Sequence, residues 1–326
     1  MATALGNYYL TLADWIKRVD PNGVNAEIVE LLNQTNKILW DMPFQEGNLT
    51  TGHRTTVRTG LPSVVWSKLY KGIVPSKSGT QQVDDTCGTV EARSEIDTRL
   101  ARLNGGSSGF IANEQLPFIE AMNEQVASGM FYFDTALNPE KFLGLAARYP
   151  TSTTANVINA GSANSGYLTD IWLICWGPNT VHGIAPKGIP GGLQHEYKGI
   201  EPVRDSNGGT YYAHVNTYEW NIGLCVRDWR YIVRLCNLNA QVGATTNTLN
   251  LDMLVDMLGT LPTWTQINGR PCFYMHKALW TQLMKLAMNK TNAALGWADV
   301  MGHKVLDFWG IPIRQVDQLL LTQSAI

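Results

Sequence analysis

Four carboxylates stand close together in the chain: Asp84, Asp85, Glu91 and Glu95. Grouped carboxylates can hold a divalent cation or run glycosidic acid–base chemistry. These sit in a Thr- and Gly-rich stretch directly after a basic one, which favours solvated or salt-bridged groups. The six histidines, His53, His182, His195, His214, His276 and His303, are scattered, and none follows another at i+2 or i+4. His195, Glu196 and His214 fall in one strand-rich block and could converge, although satisfied core or surface histidines are the simpler reading. The five cysteines, Cys87, Cys175, Cys225, Cys236 and Cys272, form no CxxC pair and no zinc spacing with histidine. Reduced thiols are the expectation. No Walker loop, HExxH or GxSxG is present, and Gly105, Gly106 and Gly109 lack the dinucleotide-binding spacing. The residues therefore predict no catalytic group, no cofactor and no metal.

Composition turns attention from chemistry to surfaces. Of 326 residues, 44% are hydrophobic and only 16% are charged, against about 25% charged in ordinary soluble domains. Eleven Trp, 12 Tyr and 10 Met suit burial between subunits, where aromatics and Met are enriched and Lys and Glu depleted. A large monomeric enzyme with a big core fits the same numbers, and the aromatics could equally stack sugars or bases. Net charge is −2, without the basic excess of a protein that wraps nucleic acid. If the chain encloses DNA, it does so as a container. The start, MATALGNYYL, shows no signal peptide, and the longest apolar run, Ile171 to Trp176, is far too short for a membrane span.

The elements that would carry such surfaces read as follows. Thr11 precedes a short helical stretch with Trp15 and Ile16. Asn25 caps a second helix, with Ile28, Leu31, Leu32 and Leu39 on one face. The two read as an arm. Residues 47–83 contain no acidic residue and carry Arg54, Arg58, Lys68, Lys71 and Lys77. Val64, Val65, Trp66, Leu69 and Tyr70 add β-prone content, and a long hairpin with little local core is expected. The next segment reverses the charge with Asp84, Asp85, Glu91, Glu95 and Asp97 against Arg93. The two segments could pair internally, or one subunit's basic loop could lie on a neighbour's acidic surface. NGGSSG (104–109) is a flexible break. Asn113 then caps the strongest helix, which runs to about Phe131 with Pro117 in its first turn and Leu116, Ile119, Met122, Val126 and Met130 at helical spacing. Residues 150–167 read as an exposed loop.

A strand block follows. Ile171–Trp176 is apolar on both faces, as a central strand should be. Val181–Ala185 is expected to pair with it. Thr210–Trp220 follows a turn at Asn207-Gly208-Gly209. Leu224–Leu235 alternates as one strand. The last quarter is mixed: a helix Leu249–Leu258 closed by Gly259, a buried strand Phe273–Met275, a helix Ala278–Asn289, and strand–turn–strand across Phe308–Ile313.

This order of features resembles the Hong Kong 97 capsid fold (HK97-like) of tailed double-stranded DNA bacteriophages, an α+β fold. More specifically, the chain resembles the podophage-type major capsid family. The matching stretches are ADWIKRVDPNGVNAEIVELLNQTN (13–36), DMPFQEGNLTTGHRTTVRTGLPSVVWSKLYKGIVPSKS (41–78), FIEAMNEQ (118–125), IWLICWGPNTVHGIAPKG (171–188), GLQHE (192–196) and CVRDWRYIVRL (225–235). The resemblance implies an N-terminal arm at 1–41 and an E-loop hairpin with its flanks at 42–100. It also implies a peripheral domain at 101–240, with a spine helix near 113–131 and strands at 171–236, and an axial domain at 241–326. The strand block precedes the helical block, so the segment order is expected to be rearranged relative to the prototype. The implied function is a coat protein of the icosahedral shell.

Its implied partners are other copies of itself in hexamers and pentamers, a portal protein, a scaffold or cement protein, and packaged DNA bound without sequence specificity. No membrane is implied. The place of work is the virion, after synthesis in the bacterial cytoplasm. Candidate intersubunit contacts are Arg54, Arg58, Trp66, Lys68, Tyr70, Lys71, Lys77, Asp84, Asp85, Glu91 and Glu95. The alternative functions are a soluble β-rich carbohydrate-binding or hydrolytic protein, and a tail or portal-associated phage protein.

Overall fold

The computed structural model describes residues 36–103, 108–162, 166–205, 207–241, 243–263, 269–288, 295–300 and 303–326. The expected arm helices lie outside these residues up to position 35. The chain forms two compact units, and three long elements contribute residues to both: β3 (Gly79–Asp97), α3 (Ser108–Tyr132) and β8 (Thr210–Val226).

The larger unit comprises Thr35–Gly88, Ala127–Gly191 and Asn221–Ile326. Its centre is β5 (Leu168–Trp176), buried at all nine positions, as its continuous apolar run predicts for a strand covered on both faces. β5 lies antiparallel between β9 (Ile232–Asn239) and β10 (Arg270–Met275). β10 pairs in parallel with β13 (Ile311–Gln315), which continues through β12 (His303–Phe308) to β11 (Leu295–Val300). The β12–β13 turn places Trp309 and Gly310 at φ 51° and 78°, the left-handed pair that a tight hairpin demands.

One face of this sheet carries Ile171, Leu173, Cys175 and Val233. It packs under α5 (Leu251–Thr260) and α6 (Lys277–Ala287), with Leu254, Met257, Leu279 and Leu283 buried against it. The other face carries Trp172 and Trp176. Trp172 meets Phe131, with ring centroids 6.2 Å apart, and Trp176 Nε1 donates to the Tyr274 hydroxyl at 2.7 Å. Arg234 is buried there as well. Its guanidinium donates to the Asp170 carboxylate at 2.7 Å, to the Tyr149 carbonyl at 2.6 Å and to Gln323 at 3.3 Å, and it lies 5.1 Å from the Trp172 ring centre.

The same unit holds two short helices, α1 (Ile38–Asp41) and α4 (Leu145–Arg148), and the root of a hairpin. β2 (Gly52–Gly60) runs antiparallel to β3 from Gly52 opposite Thr86 to Gly60 opposite Gly79. β3 neighbours β8, and β8 neighbours β6 (Val181–Ala185). Strand β1 (Phe44–Glu46) runs parallel to β6 on its other side. Gly52 is buried, and a Cβ placed there would lie 2.0 Å from the Asp85 carbonyl oxygen. That neighbour is backbone and cannot turn aside. Gly52→Ala is expected to cost about 1–3 kcal/mol by overpacking, read as a lower denaturation midpoint with the far-ultraviolet spectrum retained.

The smaller unit includes Thr89–Val126 and Gly192–Trp220. β7 (Gly192–Arg204) pairs with β8 through a turn in which Asp205 Oδ1 accepts from the Asn207 and Gly209 amides at 2.9 and 2.7 Å. Val203, Ala213 and Val215 form its small core. Tyr218 is stacked between Phe118 of α3 and His195 of β7, at centroid distances of 5.8 and 4.9 Å. A second cluster joins Ile96 of β3 to Leu100 and Ala101 of α2 (Thr98–Leu103).

Several expectations are corrected. α3 starts at Ser108, so Asn113 is no cap, and Pro117 sits inside the helix. There it denies the Asn113 carbonyl its helical donor. Leu116 and Ile119 are exposed, and only Met122, Val126 and Met130 of the expected stripe are buried. Leu224–Leu235 is not one strand. Asp228 accepts from the Arg230 amide and caps a 3-10 turn at Trp229–Tyr231, which separates β8 from β9. β6 takes β8 as its antiparallel partner and meets β5 only at Trp176–Val181. Gly259 lies within α5 rather than closing it. The expected loop at 150–167 contains a short strand, β4 (Val157–Asn159), parallel to β9, and a buried Asn156 that donates to the Ile232 carbonyl at 2.9 Å. Among the described residues, no helix is long and apolar enough to cross a membrane.

Candidate functional site

Between β2 and β3 the chain runs through residues 61–78 with no regular strand, so the β-prone residues there are not in a ladder. This tip exposes Leu61, Val64, Val65, Trp66, Leu69, Tyr70, Ile73 and Val74 together, with Trp66 97% and Val64 91% exposed. Soluble monomers rarely present so many contiguous large apolar groups without a partner for them. Arg58, Lys68, Lys71 and Lys77 are exposed around them. None of the four makes an ion pair among the described residues.

The flanking charges separate into two kinds. Arg54 is opposite Asp84 in the hairpin register and donates to it from Nε and Nη2 at 2.6 and 2.7 Å. The guanidinium holds the Asp84 carboxyl below its ordinary range. This pair is internal and exposed, and such pairs contribute little to stability. Asp85 points the other way and is buried. Its Oδ1 accepts from Arg148 at 2.7 Å and its Oδ2 from the Val226 amide at 3.1 Å. Arg148 also donates to the Leu224 carbonyl at 3.1 Å, so this group anchors the hairpin root within its own chain. Glu91 is exposed, and Glu95 pairs with Arg93 at 2.6 Å. The acidic residues thus form no common carboxylate site.

His195 and His214 do not converge. The first contacts Asn216 at 3.0 Å and the second the Tyr197 hydroxyl at 2.6 Å. A different group does meet. His53 of β2, His182 of β6 and Cys225 of β8 bring their ligand atoms within 4.8 Å of one another. His182 faces Cys225 directly in the β6–β8 register, and the two imidazoles cross edge to face at 5.9 Å. Burial, then the charges of Arg227 and His53, hold His182 down at about 4, against smaller opposite pulls from the Gly177 backbone and Asp85. Burial also pushes the Cys225 thiol up to about 12. Residue spacing could not reveal this trio, because its members come from three strands and meet only through sheet register.

Comparison with known proteins points to one family. The family model of major capsid protein GP7 matches residues 20–326. A chain in the near-atomic cryo-EM structure of bacteriophage Epsilon15 is 31% identical, with a TM-score of 0.77 over 99% of each chain. The capsid of bacteriophage JBD30 is more remote, at 12% identity and a TM-score of 0.48 over 95% of this chain and 99% of that one. No curated protein matches the sequence.

Proposed function

The chain belongs to the major capsid protein GP7 family, and we propose on that premise how its parts divide the work of building a shell. It is a structural coat protein of the phage capsid, with the α+β HK97-like fold, and not an enzyme. Residues 42–100 act as the E-loop, whose tip lies across an adjacent subunit. The observation that carries this is the row of exposed apolar side chains at 61–78, which no core of the described residues covers. Arg58, Lys68, Lys71 and Lys77 then meet acidic groups of the neighbour, Glu91 among them, and give the contact its orientation. Trp66 and Tyr70 are its anchors, in keeping with the weight such side chains carry in interfaces.

Residues 1–41 latch onto a further copy. The hydrophobic core joins Ile171 and Leu235 to Phe273 and Leu279 across position 240. We propose a peripheral domain at 101–240, with α3 as its spine, and an axial domain at 241–326, the two sharing this core. Rings of five and six subunits close by head-to-tail contacts. The near-neutral charge suits a wall that encloses DNA without gripping its sequence. A portal, and a scaffold or cement protein, complete the set of partners. All five thiols are free, which agrees with synthesis in a reducing bacterial cytoplasm.

A photo-crosslinking amino acid in place of Trp66 tests the E-loop assignment. Assembled material is expected to yield covalent dimers and higher ladders on denaturing gels. Crosslinks confined to single chains would show that the tip folds back on its own subunit.

A further inference from the structure

We propose that His53, His182 and Cys225 form a binding site for one zinc-type divalent ion, which ties the hairpin root to the central sheet. The donor set is the first ground. Two imidazoles and a thiolate suit a borderline-soft cation and discriminate against magnesium and calcium. The geometry is the second. The three ligand atoms lie within 4.8 Å of one another. Tetrahedral zinc, with bonds of about 2.0–2.3 Å, would bring such atoms to roughly 3.3–3.8 Å apart, a contraction that side-chain rotation can supply.

The third ground is the state of the imidazoles. His182 and Cys225 are fully buried, and His53 is half-buried with both ring nitrogens shielded. The ring nitrogens of His53 and His182 make no hydrogen bond of good geometry, and the Gly177 backbone exerts only a minor pull on His182. Buried imidazoles so weakly engaged are costly, and native structures keep such groups rarely and for a reason. A cation would take one lone pair from each ring.

Binding displaces the Cys225 proton to solvent and leaves a thiolate on the ion. The Thr55 hydroxyl, 3.8 Å from Sγ, stands beside that sulfur, and water completes the fourth position. Asp85 is opposite His53 in the register. It is already engaged by Arg148 and the Val226 amide, so it serves the site through its charge and not as a ligand. Arg227 opposes that charge, so the thiolate is the main compensation for the metal.

The consequence is mechanical. β2 is two strands away from β8 in the sheet order. An ion shared by His53, His182 and Cys225 would bind β2 to β6 and β8 independently of the backbone ladder. This goes beyond the assembly reading and does not depend on it.

Cobalt(II), added to the purified full-length chain and then displaced by zinc, is the probe. The expected result is one equivalent per chain, with intense tetrahedral visible bands and a thiolate charge-transfer band. Cys225→Ser should abolish the charge-transfer band. His53→Asn, on the less buried strand, should weaken binding at least tenfold while circular dichroism stays unchanged, and it carries the test if Cys225→Ser fails to fold. Zinc should slow hydrogen exchange of the β2 amides about tenfold or more. Absence of stoichiometric uptake, or a spectrum that survives Cys225→Ser, would overturn the site. Uptake without slowed exchange in β2 would overturn the tie.

Discussion

Excising residues 61–78 and closing Gly60 to Gly79 with a short turn is expected to leave a folded subunit that no longer closes shells. Among the described residues the tip makes few bonds. Lys71 N donates to Lys68 O at 3.2 Å, and Ser76 Oγ donates to Ser63 O at 2.9 Å, and both bonds are local to the segment removed. Gly60 and Gly79 face each other in the register, so a new turn can join them without straining β2 or β3. The folded subunit loses almost no buried surface. The shell loses much more. Burying eight large apolar side chains is worth roughly 12–24 kcal/mol per hairpin before ordering costs, at about 1.5–3 kcal/mol each. Electron microscopy should show particles for the parent chain and none for the variant. The thermal midpoint of dissociated subunits should move by no more than about 2 °C. Unfolding of the variant by circular dichroism, or shells that close without the tip, would sink the assignment. Trp66→Ala should fall between, with slower assembly and a higher critical concentration.

Arg234→Met is expected to destabilise the subunit by about 3–5 kcal/mol, since it removes one partner of a buried ion pair and strands the other. Asp170 and Arg234 have side chains only 2% and 5% exposed. Burial pushes the Asp170 carboxyl up, and Arg234 is the chief influence pulling it back down. Without the guanidinium the carboxyl rises further and takes a proton on folding. A folded pKa raised above the unfolded value of about 3.9 means stability that is present at low pH and lost as pH rises. The variant's deficit should therefore widen from pH 4 to pH 7. Replacing both residues, Asp170→Leu with Arg234→Met, should recover much of the loss, because no uncompensated charge remains. Equilibrium urea unfolding of unassembled subunits reads all three. A deficit under 1 kcal/mol in the single variant would contradict the packing described for Arg234.

What was legible in the sequence followed from signals that are local. Ile171–Trp176 announces a doubly covered strand by being apolar at every position. Leu279 and Leu283 announce a helix face by spacing alone. The hairpin was legible because its charges are segregated along the chain, and because a run with no acidic residue has no obvious partner inside itself. The misreadings come from competition between local signals. Asn113 with Pro117 behind it suggested a helix start, yet α3 begins a turn and more earlier, at Ser108, and runs through the proline. The alternation across 224–235 suggested one strand, yet the Asp228 side chain offered the backbone a turn. Asp85 looked like a surface acid beside Asp84. The two-residue period of a strand turned it inward to Arg148 while its neighbour faced solvent with Arg54.

The exposed tip has a cost in the interval between synthesis and assembly. Residues 64–70, VVWSKLY, form a short, β-prone, apolar window of the kind that seeds aggregation when left uncovered. Lys68 interrupts that window, and Arg58, Lys71 and Lys77 repel the same segment on other free chains. Such gatekeeper charges let a free subunit carry an exposed apolar loop until assembly without fibre formation. The same four cations thus set a concentration window, with aggregation of the free chain on one side and productive closure on the other. Neutralising Lys68 should narrow that window from the aggregation side before any effect on finished particles is seen.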